Sequence, residues 1–321
     1  VTGLGAFLVD LTSRRETGES LAAFRIAIGL VLVVTVLSVI GPGMVDVLWV
    51  DAAYGGMRRL PVTPLVGWLG GARPEVIHPL VQGTLVGAIC VTLGLGGRFA
   101  AFLTLQGYGA LTGLNWTATG GYDGMLLNAL WLLVLGNGSA TWSLDALIRE
   151  GRLSSERWVH AWPRYLIIFQ LVVVYTATGW QKISAWWTPA GGYKALYWVL
   201  VEPTWRRGWD PSLAGFLDPL LRVATAVTWH WECLAPLLLY FLWLRRTAGR
   251  GGWLRRASNR LDLRTWWLAI GVVLHLGIIV LLDVGPFSFV SVAYYVTAFT
   301  PSEVAAWFPV AHRLFPRAGT G

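Results

Sequence analysis

The stretch Leu21-Ala-Ala-Phe-Arg-Ile-Ala-Ile-Gly-Leu-Val-Leu-Val-Val-Thr-Val-Leu-Ser-Val-Ile-Gly41 decides the fold class. Its one charged residue is Arg25, and the rest is apolar or small. Crossing the hydrocarbon core of a bilayer takes ~20 predominantly apolar residues, and this run has that length. Comparable runs recur at Val76–Leu95, Phe99–Trp116, Arg164–Trp180, Val223–Trp243 and Trp266–Leu282. Two shorter ones, Gly124–Gly136 and Pro286–Thr300, borrow length from their flanks. Composition agrees: 55% of residues are apolar and 13% charged, where a soluble domain carries about a quarter charged. The chain therefore reads as an all-α, polytopic integral membrane bundle. We count about eight transmembrane helices in a single domain over residues 1–321.

Basic residues set the expected orientation. The segment Arg245–Arg264 holds seven arginines against one acid, so the positive-inside rule places it in the cytoplasm. Counting outward, Arg14 and Arg15, the loop Gly138–Pro163, and Arg313 and Arg317 in the tail also fall inside. The segments Pro42–Pro74 and Lys182–Asp218 then lie outside. Both termini are expected in the cytoplasm, as a short leading segment 1–20 and a tail 303–321. No cleavable signal is expected, because Leu21–Gly41 is too long for an h-region and no small-x-small site follows it. The net charge of +8 is accounted for by this placement, and no nucleic-acid partner is expected. Trp occurs twenty times, often where apolar runs end, which predicts an interfacial belt mixed with packed copies. Cys90 and Cys233 sit within apolar runs and read as buried free thiols.

Charges inside a bilayer are costly and usually functional. Arg25 lies about a turn into the first span, where it either serves the bundle interior or snorkels to headgroups. His230 and Glu232 interrupt the sixth span, two residues apart and so on different helix faces. His275 sits in the middle of the seventh span and Asp283 at its outer end, with interhelical hydrogen bonding as the plain alternative role. Of the 25 basic residues only Lys182 and Lys194 are lysines, and both fall in one external segment. Lysine can lose its proton when desolvated and arginine does not. Lys182, in Gly179-Trp-Gln-Lys-Ile-Ser-Ala-Trp-Trp187, thus suits a general base among indoles at the membrane edge, with helix-end anchoring as the alternative. No HExxH, CxxC, P-loop or GxSxG occurs, and the five histidines lack i, i+4 spacing. No tightly bound metal is expected.

Together these segments resemble the membrane domain of vitamin K-dependent γ-glutamyl carboxylase and its bacterial relatives, the horizontally transferred transmembrane (HTTM) family. Ser20-Leu-Ala-Ala-Phe-Arg-Ile-Ala-Ile-Gly29 is similar to the family's Ser-Leu-x-x-Phe-Arg-x-x-x-Gly opening. Trp142-Ser-Leu-Asp145 stands where the carboxylase has Trp-Ser-Val-Asp, and Gln170–Trp187 looks like its Gln-x-x-x-x-Tyr-x-x-x-Gly-x-x-Lys stretch. Gly192-Tyr193 follows, and His275 precedes Gly285-Pro-Phe-Ser-Phe-Val290 at the family's interval. The resemblance implies that Lys182 is the catalytic base toward a reduced vitamin K or menaquinone-type naphthoquinone. In that chemistry the hydroquinone reacts with O2, a glutamate γ-proton is removed, CO2 adds and the quinone leaves as its epoxide. Trp180, Trp186, Trp187 and Tyr193 are then expected to stack on the quinone ring, with Arg25 a further cofactor-binding residue. His275 is expected to reach into the same cavity.

Some positions depart from the family pattern. Gln181 replaces the first of two adjacent lysines, and Gly120-Gly-Tyr-Asp-Gly124 replaces a segment with a functional histidine, so Tyr122 or Asp123 would supply the polar group there. The carboxylase carries a large lumenal domain that residues 1–321 are not expected to contain. The implied function is a membrane lyase or epoxidase of the bacterial cytoplasmic membrane, multi-pass, acting on a lipophilic quinone with or without carboxylation of a small or peptide substrate. The alternative is a non-catalytic lipid- or quinone-binding protein. One such group is SdpB-like, working with a small soluble partner in maturing a peptide toxin. A channel or transporter ranks last, for want of repeats or broken-helix signals.

Overall fold

The structure is a computed structural model and describes residues 4–308. His312, Arg313 and Arg317, with all of the expected tail beyond Phe308, lie outside the described residues. Among the described residues the fold is all-helical apart from one short ribbon, with 73% of them in helices. The principal helices are α1 (Glu19–Ile40), α2 (Pro74–Leu93), α3 (Gly97–Leu114), α4 (Gly121–Leu135) and α5 (Trp162–Gln181). They continue with α6 (Asp218–Cys233), α7 (Pro236–Arg246), α8 (Leu263–Leu281) and α9 (Phe287–Tyr295). Three of them, α1, α2 and α8, are long and apolar enough to cross a membrane, with mean hydropathies of 2.5, 1.7 and 1.8. Their outer faces carry Leu30, Val34 and Leu37, Val86 and Ile89, and Val273, Leu276 and Val280, all exposed. Rows of large apolar side chains on the outside of several helices suit hydrocarbon as solvent and not water.

The described residues form two compact units, one running to Ile167 and resuming at Phe299, the other Ile168–Ala298. In the first, α1 packs on α2, α2 on α3 and α3 on α4. Hydrophobic burial does little to join helices inside lipid, so close backbone approach at small residues has to do it. At Gly29 an added Cβ would stand 2.7 Å from the backbone nitrogen of Thr92. At one end of this unit, β1 (Arg15–Thr17) pairs antiparallel with β2 (Trp158–His160). Arg164 grips Glu16 through two bonds of 2.6 and 2.7 Å beside this ribbon. The short helix Pro301–Trp307 packs on α1 and β1, and Ser20 Oγ donates to the Phe299 carbonyl at 2.8 Å. At the other end, the short helices Val45–Trp49 and Pro64–Trp68 pack on α2 and α3. Asp51 closes that loop by accepting from Leu60 N at 2.7 Å and Ala53 N at 2.8 Å. These two backbone donors hold its carboxyl below the usual aspartate range.

In the second unit α8 packs against α6, α7 and α9, while Ala195–Val201 packs on α6. The segment before α6 and the end of α8 meet: Arg206 bridges to Leu282, and Trp209 Nε1 donates to Val280 O at 2.8 Å. Asp283, expected at the outer end of the seventh span, lies 3.6 Å from Arg207.

The expected sixth span, Val223–Trp243, is not one helix. It divides into α6 and α7 with Leu234 and Ala235 between them. Pro236 has no N–H, and its ring would collide with the carbonyl four residues back, which is that of Glu232. The chain turns there instead, with Leu234 N donating to His230 O at 2.9 Å and Ala235 N to Glu232 O at 3.1 Å. The tryptophans divide as expected: Trp68, Trp116 and Trp266 are exposed while Trp49 and Trp267 are buried.

Candidate functional site

Lys182 follows directly on the last residue of α5. Its Nζ donates to Glu232 Oε2 from the last turn of α6, and both side chains are largely covered, at 20% and 12% exposure. Nζ also lies 3.4 Å from Thr178 O and 5.0 Å from the centre of the Trp187 ring. Two features of sequence create the contact. Gly179 lets α5 and α6 touch, since an added Cβ would stand 2.7 Å from Cys233 N and 2.9 Å from Glu232 Cβ. Pro236 stops α6 just beyond Glu232, leaving the carboxylate at a helix C-terminus. That end of a helix dipole disfavours a negative charge, and the ammonium of Lys182 offsets it.

We expect Gly179→Val to separate the two helices and break the Lys182–Glu232 contact. Overpacking of this kind costs about 1–3 kcal/mol. Thermal unfolding in detergent should show the loss, and an unshifted midpoint would contradict the packing.

His275 is buried at 3% exposure. Its Nε2 is 2.7 Å from the hydroxyl of Tyr175, and its Nδ1 is 3.2 Å from Ser288 Oγ. The Tyr175 hydroxyl is also 2.8 Å from that of Tyr295. Trp231 meets the Tyr175 ring edge-on at 4.6 Å and stacks on Trp267 at 4.3 Å. Tyr175 lies on α5 seven residues before Lys182. Trp231 and Glu232 are neighbours on α6.

Among the aromatic residues expected to stack on a quinone, Trp187 faces Lys182. Trp186 packs on Trp198 at 5.7 Å, and Tyr193 lies 6.1 Å from the His230 ring. Trp180 is 69% exposed. Tyr193 has φ of 56°, a costly backbone state for a bulky residue and one that concentrates at functional sites. His230 Nδ1 bonds the Ala226 carbonyl of its own helix at 2.8 Å, so it and Glu232 do not pair.

The remaining candidates lie in the first unit. Asp123 accepts from the Tyr108 hydroxyl and, from the first turn of α4, reaches back to the N-cap Gly120 N at 2.7 Å, which helps cap the helix. Tyr122, half-buried, lays its ring against Gly120. Arg25 is buried at 3% exposure, so it does not snorkel. Its Nε donates to Gly138 O at 3.0 Å, Nη1 to Val91 O and Thr92 O at 2.6 Å each, and Nη2 to Trp142 O at 2.6 Å. The opening motif with Phe24-Arg25 and the Trp142-Ser-x-Asp145 motif therefore meet. Asp145 completes the knot by accepting from Gly96 N at 3.0 Å. These motifs hold the bundle end together and satisfy the open carbonyls of α2.

Sequence reasoning missed Tyr175, Tyr295, Ser288 and Tyr108, and noted Glu232 without its partner. Tyr175 stood inside the Gln170–Lys182 motif, and an acid inside an apolar run fifty residues from a scarce lysine was the available signal for the pair.

The model of the HTTM domain matches residues 13–205, more than half of the chain and including Lys182. His275 and Glu232 lie beyond the matched segment. No curated protein and no solved structure matched the chain.

Proposed function

The chain belongs to the HTTM domain family, and from that premise we propose a membrane enzyme that oxidises a reduced naphthoquinone with O2, with Lys182 as general base. One observation carries the reading: a lysine in the family's Gly-x-x-Lys position is held by a carboxylate beside an indole face, largely covered from solvent. A base that serves a lipid-soluble hydroquinone needs cover from water, and a flat ring needs an aromatic wall. The residues fit the group. Lys182 would hold and move the proton at Nζ, Trp187 would bear on the ring, and Tyr175 with His275 would supply the polar wall. When bound, the reduced naphthoquinone supplies the electrons that activate O2. CO2 enters as co-substrate if the base formed serves carboxylation of a small or peptide substrate.

Arg25 and Asp123 are assigned to the scaffold, because their polar atoms are engaged by backbone carbonyls and by a helix cap. The protein is proposed to be multi-pass in the bacterial cytoplasmic membrane with both termini inside, α6 and α7 together making one broken span of the eight. Pairing of residues 15–17 with 158–160, and of 206 with 282, supports this, because charge and the count of spans had put each pair on one side.

Quinone content tests the cofactor directly. Menaquinone is expected to copurify at about one per chain and to fall several-fold in Trp187→Ala. Protein purified folded from a menaquinone-containing membrane with no quinone would count against the reading.

A further inference from the structure

Lys182 in the structure faces a difficulty as a base, since an ammonium held by a carboxylate has no lone pair to offer. The same contact supplies the answer. We propose that Glu232 takes the proton from Lys182, so that the pair and not the lysine alone is the base. This rests on the role given to Lys182 above.

Glu232 is the carboxylate in direct contact with Nζ, and the other neighbours of that nitrogen are a carbonyl and an indole face. Neither can receive a proton. The other ionisable side chains near Glu232 are Tyr175 on α5, Cys233 beside it on α6 and Tyr295 on α9. Lys182 is the cation that faces it. If Lys182 lost its proton to bulk water, an uncompensated carboxylate would be left at a covered helix C-terminus, where burial and the helix dipole both oppose it.

Transfer within the pair avoids that. The Nζ–H bond breaks and an Oε2–H bond forms, so ammonium and carboxylate become amine and carboxylic acid with no change in net charge. The Nζ lone pair then accepts the proton of a substrate hydroxyl, and the substrate oxygen keeps the bonding electrons. That oxygen lies against the re-formed ammonium, while Glu232 stays protonated and no longer competes for it. At no point does the site carry an unbalanced charge, which a low-dielectric setting requires. The position of Glu232 is thereby explained: Pro236 ends the helix where a carboxylate is easily neutralised, and Gly179 brings it within reach of Nζ.

The test is the pH dependence of kcat/KM for epoxidation of vitamin K hydroquinone, in wild type and in Glu232→Gln. The amide still accepts a hydrogen bond from Nζ but takes no proton. A pair that shares one proton works down to the pH at which it binds a second. Without the carboxyl, the lysine must be deprotonated by solvent, and the acid limb is expected to move up by about one pH unit or more. If Glu232 merely anchors the ammonium, its removal frees the amine and the limb moves down. A downward move, or none, overturns the proposal. Glu232→Asp keeps a carboxyl and is expected to keep the wild-type limb, and a limb displaced as in Glu232→Gln would overturn it.

A second reading needs no turnover. Without O2, adding vitamin K hydroquinone to wild type is expected to raise an infrared band of a protonated carboxyl that Glu232→Gln lacks. Absence of that band on a protein that binds the hydroquinone overturns the proton transfer. The band without any epoxide under O2 leaves the transfer standing and removes the oxidation proposed above.

Discussion

Replacing Lys182 by arginine is expected to leave a folded protein that has lost quinone epoxidation by about 10²–10⁴-fold, the range that a general base contributes. Arginine keeps the positive charge facing Glu232 but does not lose its proton, so it separates the two roles of the lysine. Lys182→Ala should lose activity equally but is the poorer test. It strands a carboxylate that is 12% exposed, and breaking a covered ion pair from one side costs about 3–5 kcal/mol. The double variant Lys182→Met/Glu232→Gln removes both charges and should recover stability without recovering activity. Steady-state epoxide formation, measured beside thermal unfolding, checks all three. Activity above a tenth of wild type in Lys182→Arg would sink the base role and leave the lysine as an anchor for the α5–α6 contact.

The second large effect is on the fold. Arg25→Leu is expected to reduce the yield of folded protein severely. The guanidinium serves four carbonyls, Val91, Thr92, Gly138 and Trp142, and leucine offers none of them a donor. Each buried orphan costs about 1–3 kcal/mol, and lipid supplies no water to relieve it. Against a total stability of about 5–15 kcal/mol, several such losses leave little. Arg25→Lys should fall between, since one ammonium cannot span carbonyls from three segments. Size-exclusion profiles of the detergent-extracted protein would show this as aggregation. A monodisperse Arg25→Leu protein with an unchanged unfolding midpoint would contradict the structural role.

The division between what could and could not be read in advance follows from range. The long apolar runs became helices, one of them broken in two, because helix hydrogen bonds are local and composition alone decides which solvent they suit. The break after Glu232 was written in Pro236, yet the apolar run continues through it and periodicity does not register a missing donor. Lys182 stood out by scarcity. Its partner did not, because the contact depends on Gly179 admitting a second backbone, which no pattern along one segment reveals. Arg25 stood out as a charge in an apolar run, but its carbonyls come from the end of α2 and from a loop whose course only the packed chain defines. The family motifs led in two directions accordingly: those at 20–29 and 142–147 meet as a structural knot, while the one at 170–187 leads to the lysine pair.

The most direct measurement of the central claim is epoxide formation by the purified wild-type protein. Vitamin K hydroquinone and O2 would be supplied, and the product followed by chromatography. We expect several equivalents of epoxide per protein chain, dependent on O2. No epoxide from folded, quinone-binding protein would contradict the enzyme and leave a quinone-binding or accessory membrane protein in its place.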